Sequence, residues 1–417
     1  MSPEPQLDPA RGWSLVKLAA FRFISVYFVL YCLTNQVLTG FFPLPFDVAD
    51  PSGVTPVRAT VFWVAAHIFH LSTPLVYQGS GSGDKTFDWV LDFCILLLAV
   101  CGAIVWSLLD RRRENCQPGH KWLVLFLRFA IGSQLLSYGM VKFVPLQMPF
   151  PSLARLIEPL GNFSPMGVLW SSIGASPAYE TFAGSAEMFG AILLFFPRTA
   201  LLGALVCLAD MTEVFLLNMT YDVPVKLFSF HLLLMLFVLL APEFSRILRF
   251  LFGDRPVEAS RRTPLFATAR ANRMALLVQA AYALLLIGMN AYGAWTSWFL
   301  YGGGAPRSPL YGIWNVEPPD LYRRVIFDRA ASAVFQNNDD SIVSYGAIID
   351  LKNGTLNVSG RQGNGALTFT RSGQDEMTID GSIGPRRVHM QLARRDPAKL
   401  PLTGRGFHWI QDYPFNR

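Results

Sequence analysis

Between residues 120 and 243 the chain sets eight ionisable side chains inside or at the ends of long apolar runs: Arg128, Lys142, Glu187, Asp210, Glu213, Asp222, Lys226 and His231. An ionisable group in hydrocarbon costs several kcal/mol unless it pairs or faces water, so a chain that keeps this many there uses some of them. The stretch reads YGMVKF (138–143), LQMPFPSLARLIEPLGNFSPMGVLW (146–170), EMFGAILLFFPRTALLG (187–203) and NMTYDVPVKLFSFH (218–231). With 417 residues, 52% hydrophobic and 15% charged, and a mean hydropathy of +0.34, the composition is that of a polytopic membrane protein rather than a soluble enzyme. The net charge of +6 does not point to nucleic acid. Lys and Arg cluster at the ends of apolar runs, as topology signals do, and form no stripe interleaved with aromatics.

The expected fold is a polytopic α-helical membrane protein of about seven transmembrane helices with a C-terminal external small antiparallel β-domain. The expected divisions are a cytoplasmic tail (1–14), an N-terminal transmembrane pair (15–119) with external loop 42–86, a four-helix membrane module (120–245), a basic cytoplasmic loop plus final transmembrane helix (246–298), and an external β-rich domain (299–417). The opening MSPEPQLDPA is polar, and the apolar run behind it lacks a small-residue cleavage site, so it reads as a retained helix. Arg11 and Lys17 mark the inner end of that first span, and Arg22, one turn inside, reads as snorkelling to the headgroups.

Residues 42–86 combine a Pro-rich loop with an apolar segment holding His67 and His70. Their i, i+3 spacing puts both rings on one helical face, as a metal or haem would need. Without a third ligand, the favoured reading is an interfacial or re-entrant helix with polar-capped histidines, and whether 59–77 cross the membrane stays open. QGSGSGDKT (78–86) superficially resembles a phosphate-binding loop, but that pattern needs Gly where Asp84 stands, which excludes nucleotide binding there. The second span (87–109) ends in DRRREN (110–115), a cytoplasmic signal. On the third (120–144), fourteen residues at ~100° each bring Arg128 and Lys142 within ~40° of one face, with Tyr138 one turn before Lys142.

Loop 145–177 is expected outside, its LARLIEPL segment lying on the bilayer surface. Spans four (178–196) and five (198–219) form a hairpin in which Gly184, Glu187 and Gly190 share a face, as do Asp210 and Glu213. The outer turn 218–226 holds Asn218, Asp222 and Lys226, with a local ion pair as the plain alternative to a ligand site, and span six (225–241) carries His231. Loop 242–273 holds Arg246, Arg249, Arg255, Arg261, Arg262, Arg270 and Arg273, and span seven (274–298) ends in an aromatic belt, Trp295 and Trp298. Beyond it YGIWNV (311–316), SIVSYGAIIDL (341–351), TLNVS (355–359), ALTFT (366–370) and VHMQL (388–392) alternate with turn signals, predicting a small antiparallel barrel or sandwich. Five scattered cysteines without a CxxC pair argue against disulfide exchange.

LRFAIGSQLLSYGMVKF (127–143), an external loop and EMFGAILLFFPRTALLGAL (187–205) together resemble the DoxX family over about residues 120–245. That resemblance implies a four-helix membrane module and, through the thiosulfate dehydrogenase subunit that gives the family its name, quinone-handling redox chemistry. The order Tyr-Gly-x-x-Lys, long loop, Gly-rich hairpin, polar outer turn and β-rich tail is similar, more remotely, to the HTTM module of vitamin K-dependent γ-carboxylases. There a desolvated lysine deprotonates a quinol, and the matching position is Lys142.

Three readings follow. The first is a quinone- or quinol-linked membrane oxidoreductase in which Lys142, Glu187 and Tyr138 are catalytic, Arg128 tunes them, and Asp210, Glu213 and His231 form a proton path. Asn218, Asp222 and Lys226 join Arg128 and that path as substrate-binding candidates. The second is a scaffold or lipid-binding protein whose external β-domain meets a periplasmic partner; the third is an ion-coupled transporter. Against all three stands a salt-bridge network, Lys142 with Glu187, that fixes helix register without chemistry. No metal, nucleotide or flavin motif is present; the expected ligands are quinone or membrane lipid, and the expected location is the bacterial inner membrane, amino terminus cytoplasmic and β-domain periplasmic.

Overall fold

In a computed structural model the described residues are 12–42, 51–77, 80–254, 256–257 and 264–416. The helices are α1 (Leu15–Thr34), α2 (Gln36–Phe41), α3 (Thr55–His67), α4 (Thr86–Leu109), α5 (Gln117–Phe143), α6 (Pro165–Gly174), α7 (Pro177–Phe195), α8 (Ala200–Thr220), α9 (Lys226–Leu240), α10 (Phe244–Phe252) and α11 (Ala269–Leu300). Two compact units result, one from residues 1–144 and 181–295 and the other from 145–180 and 296–417. Arg11, Arg255, Arg261 and Arg262, most of the Pro-rich loop 42–50 and the first two residues of QGSGSGDKT lie outside the described residues.

Among the described residues, six helices are long and apolar enough to cross a membrane: α1, α4, α5, α8, α9 with its continuation to Phe252, and α11. The residues of the fourth predicted span form α7, whose 19 residues include Glu180 and Glu187 and which is not among the six. One cavity is lined by the end of α1 (Thr34), the start of α4 (Asp88), the end of α5 (Tyr138) and the start of α9 (Leu227). Another is lined by the start of α1 (Lys17), the start of α5 (Lys121) and the end of α9 (Val238). Those four helices therefore alternate in direction. Their core is apolar and fully buried at Phe87, Leu127, Ile131, Leu136, Met235 and Leu236.

Local chemistry sets the helix starts. Ser14 caps α1 by accepting from Lys17 N at 3.3 Å. Asp88 of α4 reaches back to Lys85 N at 3.0 Å. Asp84, the residue that spoils the phosphate-loop pattern, caps α9 from a distance: its two carboxylate oxygens accept from Lys226 N and Leu227 N, each at 2.9 Å. A carboxylate so placed satisfies two donors that a helix start leaves unpaired.

Two expectations for this unit are corrected. Arg22 does not snorkel; it is 5% exposed and donates to Ser107 Oγ at 3.1 Å and Asp110 O at 3.0 Å, because α4 offers it partners that headgroups would otherwise supply. His67 and His70 do not share a helical face, since α3 ends at His67 and His70 adopts a positive φ of 50°. His67 is capped by Trp63 O at 2.9 Å, and the 13 residues of α3 extend only about 20 Å, short of a crossing.

The second unit contains a closed barrel of eight antiparallel strands in sequential order, β8 pairing back to β1. They are β1 (Arg307–Val316), β2 (Tyr322–Arg329), β3 (Ser332–Asn337), β4 (Ile342–Asp350), β5 (Thr355–Gly360), β6 (Gly363–Arg371), β7 (Glu376–Ile383) and β8 (Arg386–Arg395). Closure removes exposed strand edges. Side chains alternate inward along the strands, and Trp314, Phe327, Phe335, Leu356 and Ile379 fill the interior. At the β4–β5 turn Gly354 takes φ +60°, the conformation for which the KNG signal selects glycine.

The LARLIEPL segment is not a bilayer-surface helix. It forms consecutive turns, and Leu153, Leu156 and Ile157 pack on Ile313 of β1 and Ile326 of β2. Leu153 N also donates to Asp328 Oδ2 at 3.0 Å. Leu153, Leu156 and Ile157 are thus turned to the barrel, and Leu160 at the segment's end stays exposed. The same connection contains α6, capped by Ser164 Oγ accepting from Gly167 N at 3.1 Å.

Candidate functional site

Lys142 and Glu187 meet. Lys142 Nζ of α5 donates to Glu187 Oε1 of α7, with the two residues 8% and 2% exposed. Close helix approach makes this reach possible: a Cβ on Gly184 would stand 2.3 Å from Phe143 N and 2.5 Å from Gly139 O, so only glycine lets these backbones touch. Glu187 Oε2 accepts no hydrogen bond among the described residues. Asp210 of α8 is an electrostatic neighbour of the pair, and its Oδ2 likewise accepts no hydrogen bond. Glu213, on the same helix, is exposed.

Arg128 stands apart from this pair. Fourteen residues along α5 amount to about 21 Å, and the Arg128 Nε donates to Leu194 O at 2.7 Å. Leu194 lies in the last turn of α7, so Arg128 satisfies a carbonyl that the helix end leaves free. It is a helix cap, and the seam expected from Arg128 to Lys142 is split between two jobs.

Tyr138 lies one turn before Lys142 and opens onto a different space. Its hydroxyl accepts from Gln36 Nε2 at 3.1 Å, and its ring is 6.2 Å from that of Phe228. Both aromatic residues line a cavity of about 330 Å³ together with Tyr31, Gln36, Asp88 and Asp92. Lys142 and Glu187 are not among its lining residues.

His231 belongs to this second cluster. Its Nδ1 donates to Leu227 O at 2.8 Å, so Nε2 accepts from Tyr27 OH at 2.7 Å. The Tyr31 ring stacks on it with centroids 4.0 Å apart, and Asp92 Oδ2 is 3.8 Å from Nε2. That oxygen accepts no hydrogen bond among the described residues. The predicted path from Asp210 and Glu213 to His231 is not formed: no hydrogen bond or ion pair among the described residues joins them, because His231 turns toward α1 and α4 instead.

The residues of the 218–226 turn hold the turn itself. Asn218 Nδ2 donates to Ser229 Oγ at 3.0 Å, tying α8 to α9. Asp222, at φ +52°, accepts from Lys226 Nζ at 2.8 Å, and Lys226 Nζ lies 3.7 Å from Asp84 Oδ2. This is the plain local pairing weighed against a ligand role.

Sequence reasoning passed over Asp88 and Asp92. Their signal was present: two carboxylates four residues apart in TFDWVLDF, at the start of an apolar run, share one helical face. Among the described residues no group of three or more His, Cys, Asp or Glu side chains is arranged to hold a metal ion.

No protein-family model matches the chain, and no solved structure matches it. It is similar to the uncharacterized protein YwoB of Bacillus subtilis (strain 168), 30% identical over 135 residues, which make up 32% of this chain and 82% of that relative. Identity at this level across most of the relative's length shows common descent, and the chain belongs to the family of YwoB.

Proposed function

We propose that the chain is a multi-pass protein of a bacterial inner membrane that binds a quinone or quinol in the cavity beside Tyr138. One observation carries this reading: about 330 Å³ of space walled by Tyr31, Tyr138 and Phe228 is also lined by Gln36, Asp88 and Asp92. An aromatic, partly apolar pocket with a few converging polar groups is what a hydroxylated ring requires. A ring hydroxyl donates to Asp92; His231, 3.8 Å from that carboxylate and bonded to Tyr27, is the next proton-carrying group. Gln36 and Tyr138 supply hydrogen bonds for a ring oxygen.

In this account Lys142 is a positioning residue and not the base. A base must reach the ring, whereas the Lys142 Nζ is taken up by Glu187 and neither residue lines the cavity. The pair fixes α5 against α7 and so fixes Tyr138, one turn away. The DoxX and HTTM resemblances agree with this reading in their ligand class. The arginines of loop 110–115 and of α10 favour an orientation with that end cytoplasmic and the barrel periplasmic, where the barrel is available to a partner.

The test is quinone content and short-tailed quinone binding in purified, detergent-solubilised protein. Tyr138→Phe and Asp92→Asn are expected to weaken binding, and the paired replacement Lys142→Met with Glu187→Leu to preserve it. Absence of quinone binding in the wild type leaves the scaffold reading in its place.

A further inference from the structure

The opposite end of the helical unit carries a second cavity, of about 500 Å³. Two lysines border it, Lys17 on α1 and Lys121 on α5, with His120 and Gln117 between them. The Lys17 ammonium lies 4.4 Å from the Trp13 ring centroid, and Lys121 Nζ donates to Pro264 O at 2.8 Å. Neither lysine forms an ion pair with a carboxylate among the described residues, although Arg22 and Arg113, nearby in sequence, both do. The remaining wall is apolar: Phe21, Ile24, Leu123 and Val238.

We propose that this cavity seats the phosphate of an anionic phospholipid, with an acyl chain against Phe21, Ile24 and Val238. Charge complementarity supports the head: two cations without a carboxylate partner among the described residues border the cavity, Lys17 in the first turn of α1 and Lys121 in the second turn of α5. The positive end of the α5 dipole adds to them, although Gln117 N and His120 N already have acceptors and Pro118 has no N–H. The apolar wall supports a lipid over a free phosphate, which has no use for it.

The depth of the site comes from α10. This helix starts two residues after Pro242, which lines the cavity, and buries none of its side chains. Phe244, Leu248, Leu251 and Phe252 are exposed on a helix that also carries Arg246 and Arg249, the character of a helix lying at the headgroup level. The cavity therefore opens where lipid phosphates are. This inference rests on membrane insertion as proposed above and is independent of the quinone site.

The experiment uses full-length, delipidated protein in neutral detergent and measures binding of phosphatidylglycerol, phosphatidylcholine and soluble glycerol phosphate by native mass spectrometry. Wild type is expected to prefer phosphatidylglycerol and to ignore glycerol phosphate. Lys17→Gln with Lys121→Gln is expected to lose about 30-fold in phosphatidylglycerol affinity, from two charges near a headgroup. Arg112→Gln, at the same end but outside the cavity, keeps the preference. Val238→Trp, which leaves both lysines and fills the apolar part, is expected to lose the lipid while circular dichroism shows the helices intact.

A preference that survives the double lysine variant, or that falls equally in Arg112→Gln, overturns the site in favour of diffuse attraction. Tight binding of glycerol phosphate overturns the lipid assignment. Membrane fractionation of expressing cells reads insertion separately: a soluble protein sinks the membrane reading, whereas an inserted protein without headgroup selectivity sinks only this site.

Discussion

Replacing Glu187 with leucine strands the Lys142 ammonium in a place where it is 8% exposed. Removing one partner of a buried ion pair costs about 3–5 kcal/mol, because the remaining charge has lost its counter-charge and cannot recover water. Here the backbone contact at Gly139 and Gly184 limits relief by helix separation. Replacing both residues, Lys142→Met with Glu187→Leu, removes both desolvation costs together with the attraction, and stability should return to within about 1 kcal/mol of wild type or exceed it. The cycle of two single variants and the double, followed by reversible unfolding in mixed micelles, should therefore give an interaction of about 2 kcal/mol or more. Additive single costs would refute the claim that the pair is closed and buried. So would single variants that each cost under about 0.5 kcal/mol, the range of an exposed pair.

Three further outcomes follow from particular contacts. Asp84→Ala removes both acceptors at the start of α9 and should cost about 1–2 kcal/mol, read as a lower midpoint in the same unfolding assay; Asp84→Asn, which keeps one acceptor oxygen, should recover part of it. Leu153→Ala empties a site 4% exposed against Ile313 and Ile326, costing about 2–5 kcal/mol and speeding proteolysis within 145–180. Asp350, in the β4–β5 turn, has its carboxyl held below the usual carboxylate range by hydrogen bonds from Asn353 and Lys352. A folded value below the unfolded one means that its contribution is complete above about pH 4, the unfolded value, and is lost as pH falls through the folded value. The protection factor at the β4–β5 turn, the slowing of exchange relative to an unstructured peptide at the same pH, should fall across that acid range in wild type, and Asp350→Ala should show the low protection already at neutral pH.

The helices were legible because apolar runs of about 20 residues have few alternatives, and α7 was found despite its carboxylates. Five barrel strands announced themselves by alternation and turn signals, whereas β2, β3 and β7 did not. YRRVIFDR of β2 buries three residues in a row, and EMTIDGSI of β7 is broken by Gly381 at φ +147°; neither shows a clean period of two. The Lys142–Glu187 pair was legible from small residues on facing helices. The Asp92–His231–Tyr27 cluster was not, because its members come from α4, α9 and α1, and Tyr27 and His231 are 204 positions apart. Helical periodicity relates residues along one helix and carries no information on which helices become neighbours. LARLIEPL misled for a related reason: its apolar face was evident, but what covers it is the barrel, more than 150 residues further on.

Quinone binding tests the central claim most directly. Wild-type protein purified in neutral detergent should carry extractable quinone and rebind a short-tailed quinone saturably. Tyr138→Phe and Asp92→Asn should each weaken that binding by about fivefold or more, the worth of one buried hydrogen bond, while Lys142→Met with Glu187→Leu should match wild type. Binding that is absent in wild type, or that survives both cavity variants and vanishes only with Lys142, would contradict the account and return the chemistry to the lysine.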